Sequence, residues 1–351
     1  MKLNALVLTN MYPENGSYSG IFVKKNIEGL EKNFKVTVIR AKTQNNKLGR
    51  LLSYAFFVSK ALIHLRNAKK KYSFIYIHFP TRTAIPLLFL KKLDVSLILN
   101  FHGTDIISNS KINKLLFLLM KRKFSSASLI VVPSQFFKKK IIEKLDTKNI
   151  FISPSSGVPD SFYDVTNTRP HKESILKITS ISNINEDKGV FDVCEAAIKL
   201  YRKGINNQFL FFGSGSKEKL NKLQSYIDAC PLIMYKGPVN HYEIPEILKD
   251  TDFFIFASKK ESLGLVGIEA LATGTPIIGS NHPAITTYLE DGYNGLIFEM
   301  GNVESLVSTI NKINDKQLYQ ILKSNAQRSV ESYRESMVHE ELNNQIVRIL
   351  N

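Results

Sequence analysis

The chain has 351 residues, 44% of them hydrophobic and 22% charged, which is too long for one ordinary domain and apolar enough for two cores of roughly 150 residues each. Its two cysteines, Cys194 and Cys230, exclude a disulfide framework and a four-cysteine zinc site, and they fit a reducing compartment. The net charge of +16 is lopsided: residues 1–165 carry 27 Lys and Arg against 9 Asp and Glu, whereas residues 166–351 carry 20 against 22.

From the first residues onward, short β-rich runs ending in turn residues alternate with stretches of helical period, the pattern of parallel α/β layers. The N-terminus enters a strand directly, without the regions of a signal peptide, and this predicts a cytosolic protein. In the first half the spacing predicts strands over 3–9, 35–40, 74–79, 95–101, 128–133 and 150–153. The most apolar run, Phe74 to Leu90, contains His78, Arg82 and two prolines, so no membrane-spanning segment is expected. A polar, proline-containing stretch from Pro159 to Glu173 reads as an interdomain linker. Strands then follow over 175–182, 208–213, 232–237, 253–257, 276–279 and 295–298, and residues 335–351 close the chain with a helix expected to pack back on the first domain. The expected architecture is thus α/β: two Rossmann-like, doubly wound parallel-sheet domains, 1–165 and 166–334, facing a central cleft where strand C-termini and helix N-termini converge.

The strongest chemical signal runs from Glu261 to Pro276. A strand enters a loop carrying Glu261, a helix starts near Gly264, and Glu269 lies on that helix. The free N–H groups of Gly264 and Leu265 at the helix start suit a phosphate. Two carboxylates flanking such a site suit sugar hydroxyls, one on a ribose and one on a hexose beyond the diphosphate.

This segment resembles the E-x7-E signature of retaining glycosyltransferases of family four, which have the GT-B fold. The likeness extends over most of the chain. Tyr12-Pro13 and the loop ending Gly20-Ile21-Phe22 resemble the family's glycine-containing loop, where missing side-chain bulk lets backbone approach the donor phosphates. His78 resembles a histidine at the end of a family strand. His102-Gly103-Thr104-Asp105 resembles the family's H-G-x-D on the acceptor side, and Ser134 and Ser155 to Phe162 match further family elements. In the second half Phe212-Gly213-Ser214-Gly215 resembles its G-x-G, and Lys236 to Val239 occupies the turn where the family's backbone meets the nucleobase. Glu290 to Gly295 resembles a structural turn.

Two departures stand out. Where the family has an arginine on the diphosphate, this chain has Asn183, leaving Lys188 as the cation of the K-G pair and removing a bidentate contact. Ala284 stands where a glutamate is common. The resemblance implies a retaining transferase in surface polysaccharide synthesis, with a UDP- or GDP-sugar donor, a glycan or lipid-linked acceptor, and no cofactor or metal. In that scheme Lys188, Asn183, Gly20 and the Gly264–Leu265 amides hold the donor phosphates, and Glu261 orients the sugar. Glu269, Gly213 and Val239 hold the nucleoside, and His102 works at the reacting carbon. Two other readings stay open: a metal-dependent transferase using Asp250 and Asp252 as a D-x-D pair, and a non-catalytic carbohydrate-binding protein on a decayed GT-B scaffold.

The basic excess accompanies no nucleic-acid-recognition motif, which argues against nucleic acid as the partner. It coincides with two amphipathic stretches, Lys47 to Lys71 with seven basic residues and Lys111 to Lys123 with an apolar run between lysines. Both fit peripheral docking on an anionic membrane surface from the cytosolic side.

Overall fold

The computed structural model describes residues 2–13, 20–42, 46–103, 105–106, 110–165, 167 and 175–351. It divides into two compact units, Met1–Gly157 with Glu335–Asn351, and Val158–Arg334.

In the first unit six strands form one parallel sheet: β1 (Asn4–Thr9), β2 (Lys35–Arg40), β3 (Phe74–His78), β4 (Ser96–Asn100), β5 (Leu129–Val132) and β6 (Ile150–Ile152), in the order β2-β1-β3-β4-β5-β6. Strands β3, β4 and β5 are nearly continuous apolar runs because both faces are covered, as parallel crossovers require. One face carries α1 (Ile21–Glu31), whose Val23, Ile27 and Leu30 pack with Val7 and Tyr76. The other carries α2 (Lys47–Arg66) and α3 (Lys111–Ser125), through Phe57, Ala61, Leu65, Met120 and Phe124. A shorter helix, α4 (Gln135–Ile142), follows β5.

The second unit holds β7 (Lys177–Ile181), β8 (Gln208–Phe212), β9 (Ile233–Gly237), β10 (Phe253–Phe256), β11 (Ile277–Ser280) and β12 (Gly295–Phe298), again parallel, in the order β12-β11-β10-β7-β8-β9. Helices α5 (Val190–Arg202), α6 (Lys217–Ala229), α7 (Leu265–Ala272), α8 (Val303–Asn311) and α9 (Lys316–Ala326) complete its layers. Each predicted strand is present, two with the predicted bounds and the rest with ends shifted by at most two residues.

The chain leaves the first unit at Gly157, eight residues before position 165. Part of the predicted linker is core rather than linker. Asp160–Tyr163 is a helical turn, Phe162 and Tyr163 are buried, and the Tyr163 hydroxyl donates to the Val330 carbonyl at 2.7 Å. Aromatic burial here outweighs the polar composition around it. Of the same stretch, residues 166 and 168–174 lie outside the described residues. At the other end α10 (Glu335–Leu350) returns to the first unit. Its Leu342 and Ile346 join the α1 face, Asn343 Nδ2 donates to the Gly29 carbonyl at 2.9 Å, and the His339 ring presses on Gly29, where a Cβ would meet it at 2.4 Å.

Candidate active site

In the second sheet β7 and β10 are neighbours, and the chain winds outward from them in opposite directions. At such a switch point the loops leaving the two strand C-termini diverge and leave a crevice. The loop after β7 carries Asn183 and Lys188; the loop after β10 carries Glu261 and opens α7.

Several contacts zip these loops together. Lys188 ends a short turn, Glu186–Lys188, whose cap Asn185 accepts the Lys188 N–H at 3.0 Å. Gly189 follows at φ +66°, and a Cβ there would lie 2.1 Å from the Ala257 carbonyl oxygen, so only glycine lets the turn sit this close to the end of β10. The Lys259 N–H donates to the Asp187 carbonyl at 2.7 Å. The Lys188 ammonium thereby reaches Glu261 Oε2 at 2.6 Å, while Glu261 Oε1 accepts the Ser262 N–H at 3.0 Å. Both side chains are largely buried, which strengthens the pair relative to a surface ion pair.

Helix α7 opens at Gly264, in the left-handed region at φ +82° and without a side-chain cap, so its first amides are offered to a ligand. Packing also requires this glycine: a Cβ would lie 2.5 Å from the Phe256 ring, and the Tyr288 hydroxyl donates to its carbonyl at 3.1 Å. Tyr288 is buried and feels both Glu261 and Glu269, and its hydroxyl is held well above the usual tyrosine range, chiefly by burial.

Glu269 is 5% exposed and is met by His241 Nε2 at 2.8 Å. His241 stands just beyond β9 on the turn His241–Glu243, with the Phe162 ring 5.3 Å from its own. The sequence reading missed this histidine, although its place after the Lys236–Val239 turn was a usable signal. It also missed His282, two residues past β11, which lies within electrostatic reach of Glu261 and Lys188. Burial, its largest influence, lowers the His282 pKa, Glu261 raises it and Lys188 lowers it, while Nδ1 accepts the Ala284 N–H at 3.1 Å. Ala284, in the position where a glutamate was noted as common, is fully buried.

The remaining expected residues of this unit are placed as follows. Asn183 is exposed just past β7. Val239 is half-buried against the α7 core cluster. Gly213 is explained by packing: at φ +137° a Cβ would lie 1.8 Å from the Ser182 carbonyl oxygen, and the Gly213 carbonyl accepts the Tyr235 hydroxyl at 2.7 Å. Asp250 and Asp252 lie at the opposite edge of the sheet. Asp252 is buried and accepts the Lys177 N–H at 2.7 Å, and Asp250 pairs with the Lys177 ammonium. These contacts account for the D-x-D pair as a clasp at the start of β7, and no cluster of three metal-ligating side chains occurs among the described residues.

The first unit has its own switch point, between β1 and β3. Gly20 caps α1 at φ +84°, where a Cβ would lie 2.9 Å from Met11 Cγ. Two residues on, the Phe22 ring lies 5.1 Å from the ring of His102, which follows β4. His102 Nε2 lies 2.9 Å from His78 Nδ1 with the rings stacked, so one imidazole donates to the other and the His102 tautomer is tied to that of His78. Burial pushes His102 down to about 3 and His78 well below the usual histidine range, so both rings are neutral near pH 7. Asp105 accepts the N–H groups of His102 and Gly103 at 3.1 and 3.0 Å, and burial raises it to about 7. Thr104, between them, lies outside the described residues.

Residues 166–329 match the family model "Glycosyl transferases group 1". Among curated proteins the chain is 27% identical over 216 residues to alpha-monoglucosyldiacylglycerol synthase of Acholeplasma laidlawii, a match covering 58% of this chain and 54% of that protein. It is 25% identical over 245 residues to the capsular polysaccharide biosynthesis glycosyltransferase CapM of Staphylococcus aureus, covering 65% of this chain and 63% of CapM. The chain thus spans between half and two thirds of the length of these two relatives. Among solved structures it superposes on Anabaena HepE in complex with UDP and glucose with a TM-score of 0.73 at 19% identity, covering 99% of this chain and 100% of HepE. On a Rickettsia africae glycosyltransferase the TM-score is 0.77 at 18% identity, covering 100% and 99% of the two chains. Two parallel six-stranded α/β units and these superpositions show that the chain has the GT-B fold, and residues 166–329 match the group 1 glycosyl transferases.

Proposed function

We propose that the chain is a retaining, metal-independent glycosyltransferase that moves a sugar from a UDP- or GDP-sugar to a glycan or lipid-linked acceptor in surface polysaccharide or glycolipid synthesis. The observation that carries this reading is the Lys188–Glu261 pair at the β7/β10 switch point, beside the opening of α7. Transfer from a nucleotide-sugar leaves negative charge on the departing diphosphate. A held ammonium and a helix N-terminus aimed at that charge stabilise it without reorganising. Glu261 accepts hydrogen bonds from the donor sugar and keeps Lys188 in place. Glu269, buried and met by His241, accepts from the ribose hydroxyls, and displacement of His241 by those hydroxyls accompanies donor entry. In the first unit His102 acts as a neutral hydrogen-bonding group toward the sugar or acceptor, positioned by His78.

The named relatives support the choice of donor and acceptor classes. HepE is seen with UDP and glucose, and relatives make a glucosyl glycolipid or capsular polysaccharide. The test is a screen of UDP-, GDP- and ADP-sugars for thermal stabilisation, followed by donor turnover and by NMR of the product anomer. Stabilisation by one nucleotide class with an axial-to-axial outcome supports the reading. Inversion at the anomeric carbon defeats the retaining mechanism, and absence of both donor binding and donor hydrolysis leaves the non-catalytic scaffold.

A further inference from the structure

Helix α2 shows a distribution that packing on its own sheet does not explain. Phe57, Ala61 and Leu65 form the stripe that meets the sheet. Leu48, Leu52, Phe56 and Ile63 recur on the opposite side of the helix and are 61–68% exposed. Helix α3 repeats the arrangement: Met120 and Phe124 face the core, and Ile112, Leu115, Leu118 and Leu119 face outward at 56–65% exposure. Both helices cover the same face of the first sheet, and Tyr54 of α2 and Asn113 of α3 are joined through Arg82, by the Tyr54 hydroxyl to the Arg82 carbonyl and Arg82 Nε to Asn113 Oδ1 at 2.8 Å. Phe89, 65% exposed, lies on the turn packed beside α2. Of the nineteen large apolar side chains exposed among the described residues, eleven lie on α2, α3 and this turn, which makes one apolar face rather than scattered exceptions.

The charge on this face has one sign. Lys47, Arg50, Lys60 and Arg66 are exposed along α2, as are Lys111, Lys114, Lys121 and Arg122 along α3, and neither helix contains an acidic residue. Between residues 32 and 142 the only carboxylates are Asp94 and Asp105. Where the two helices end, Lys69, Lys91, Arg122 and Lys123 line a cavity of about 1160 Å³ in which the single acidic side chain, Asp94, is paired with Lys92 at 2.8 Å. One 18-residue window of the 20-residue α2 reaches a mean hydropathy of 1.2, long and apolar enough by composition to cross a bilayer; its buried stripe instead ties it to the sheet as a crossover helix. Apolar side chains ringed by cations match the layered chemistry of a bilayer interface, with acyl chains beneath anionic headgroups. A second copy of the chain would bring two faces of like charge together.

We infer that the outward faces of α2 and α3 seat the first unit on an anionic bilayer, the helices lying in the interface with Leu52, Phe56, Leu115 and Leu119 inserted and their lysines and arginines against the headgroups. This goes beyond sugar transfer and does not require it: a chain with no transferase activity would dock all the same, so the two readings fail separately.

The experiment is flotation of the full chain with vesicles of phosphatidylcholine alone or with about a third phosphatidylglycerol. The expected result is flotation with the anionic vesicles only, weakened as salt rises from about 0.05 M to about 0.5 M. Phe56→Glu with Leu118→Glu, both at exposed positions, should lower the bound fraction about tenfold while leaving melting temperature and UDP-induced stabilisation unchanged. Replacing Lys111 and Lys114 by alanine should reduce the dependence on anionic lipid. A folded wild-type chain that stays unbound at low salt overturns the inference, as does a double variant that floats like wild type. A wild-type dimer that dissociates in the double variant, with no flotation, would show that a second copy covers this face instead.

Discussion

The Lys188 ammonium stands 2.6 Å from Glu261 Oε2, joining two loops 73 residues apart in sequence. Each partner fixes the other, so removing either leaves a largely buried charge alone. Lys188→Ala and Glu261→Gln should each lower kcat/KM by on the order of a hundredfold with the fold retained, and the double variant should lose far less than the product of the two. Lys188→Arg should recover part of the activity. Single variants with wild-type melting and near-wild-type turnover would remove the pair from the mechanism.

His241 Nε2 lies 2.8 Å from Glu269 Oε1. Glu269→Ala should raise the donor KM at least ~10-fold and lower turnover, because a buried acceptor of ribose hydroxyls is lost. His241→Gln should act mainly on KM, leaving kcat within roughly threefold. Isothermal titration with UDP or GDP checks both, and unchanged nucleotide affinity in Glu269→Ala would place the ribose elsewhere.

Three histidines of the first unit are held below their ordinary range by burial: His78 well below, His102 at about 3 and His339 at about 4. Between these values and the unfolded value of about 6.5 the unfolded chain binds more protons, so stability is whole above that pH and is lost as the pH falls. Asp105 runs the other way. Burial raises it to about 7, so from its unfolded value near ~3.9 upward the folded state keeps the extra proton, and stability is lost as pH rises through 7. Asp105→Asn should therefore gain on wild type steadily between about pH 4 and 7, with the difference level above about pH 8. His339→Leu should flatten the acid loss. Urea unfolding across this range measures both.

Gly213 and Gly204 share positive φ, +137° and +79°, but differ in space: a Cβ on Gly213 meets the Ser182 carbonyl at 1.8 Å, while one on Gly204 meets nothing within 4 Å. Gly204→Ala should cost about 1 kcal/mol of stability. Gly213→Ala should cost at least ~3 kcal/mol, since backbone must move. Equal costs by thermal unfolding would show that strain, not contact, selects glycine at both sites.

Turnover should persist in EDTA, because Asp250 and Asp252 are engaged by Lys177 at the edge of the sheet opposite Lys188 and Glu261. Loss of turnover on chelation, restored by magnesium or manganese, would reinstate a metal-dependent mechanism.

The sequence by itself determined the layers. Runs such as 74–78 and 253–256 are apolar on both faces, short, and bounded by turn residues, which suits buried parallel strands between helices, so the alternation of elements was legible from spacing. It also determined that Lys188, Glu261, Glu269 and His102 stand just past strand ends or on the helix that follows, since turn residues mark where strands stop. Tertiary structure alone decided which of these groups meet. Strand order in the second sheet brings the loop after β7 beside the loop after β10, and nothing local to either records that adjacency. The same holds for His78 with His102, and for His241 with Glu269, where a histidine with no motif of its own acquires a partner across 28 residues. Aromatic burial of Phe162 and Tyr163 moved the boundary between the units, because burial depends on neighbours brought in by the chain beyond Val330. Helix α2 shows the limit most directly: its apolar residues lie on both sides, so periodicity identifies the helix but not the side that meets the sheet. Only the packing of Phe57, Ala61 and Leu65 leaves Leu48, Leu52 and Phe56 facing outward.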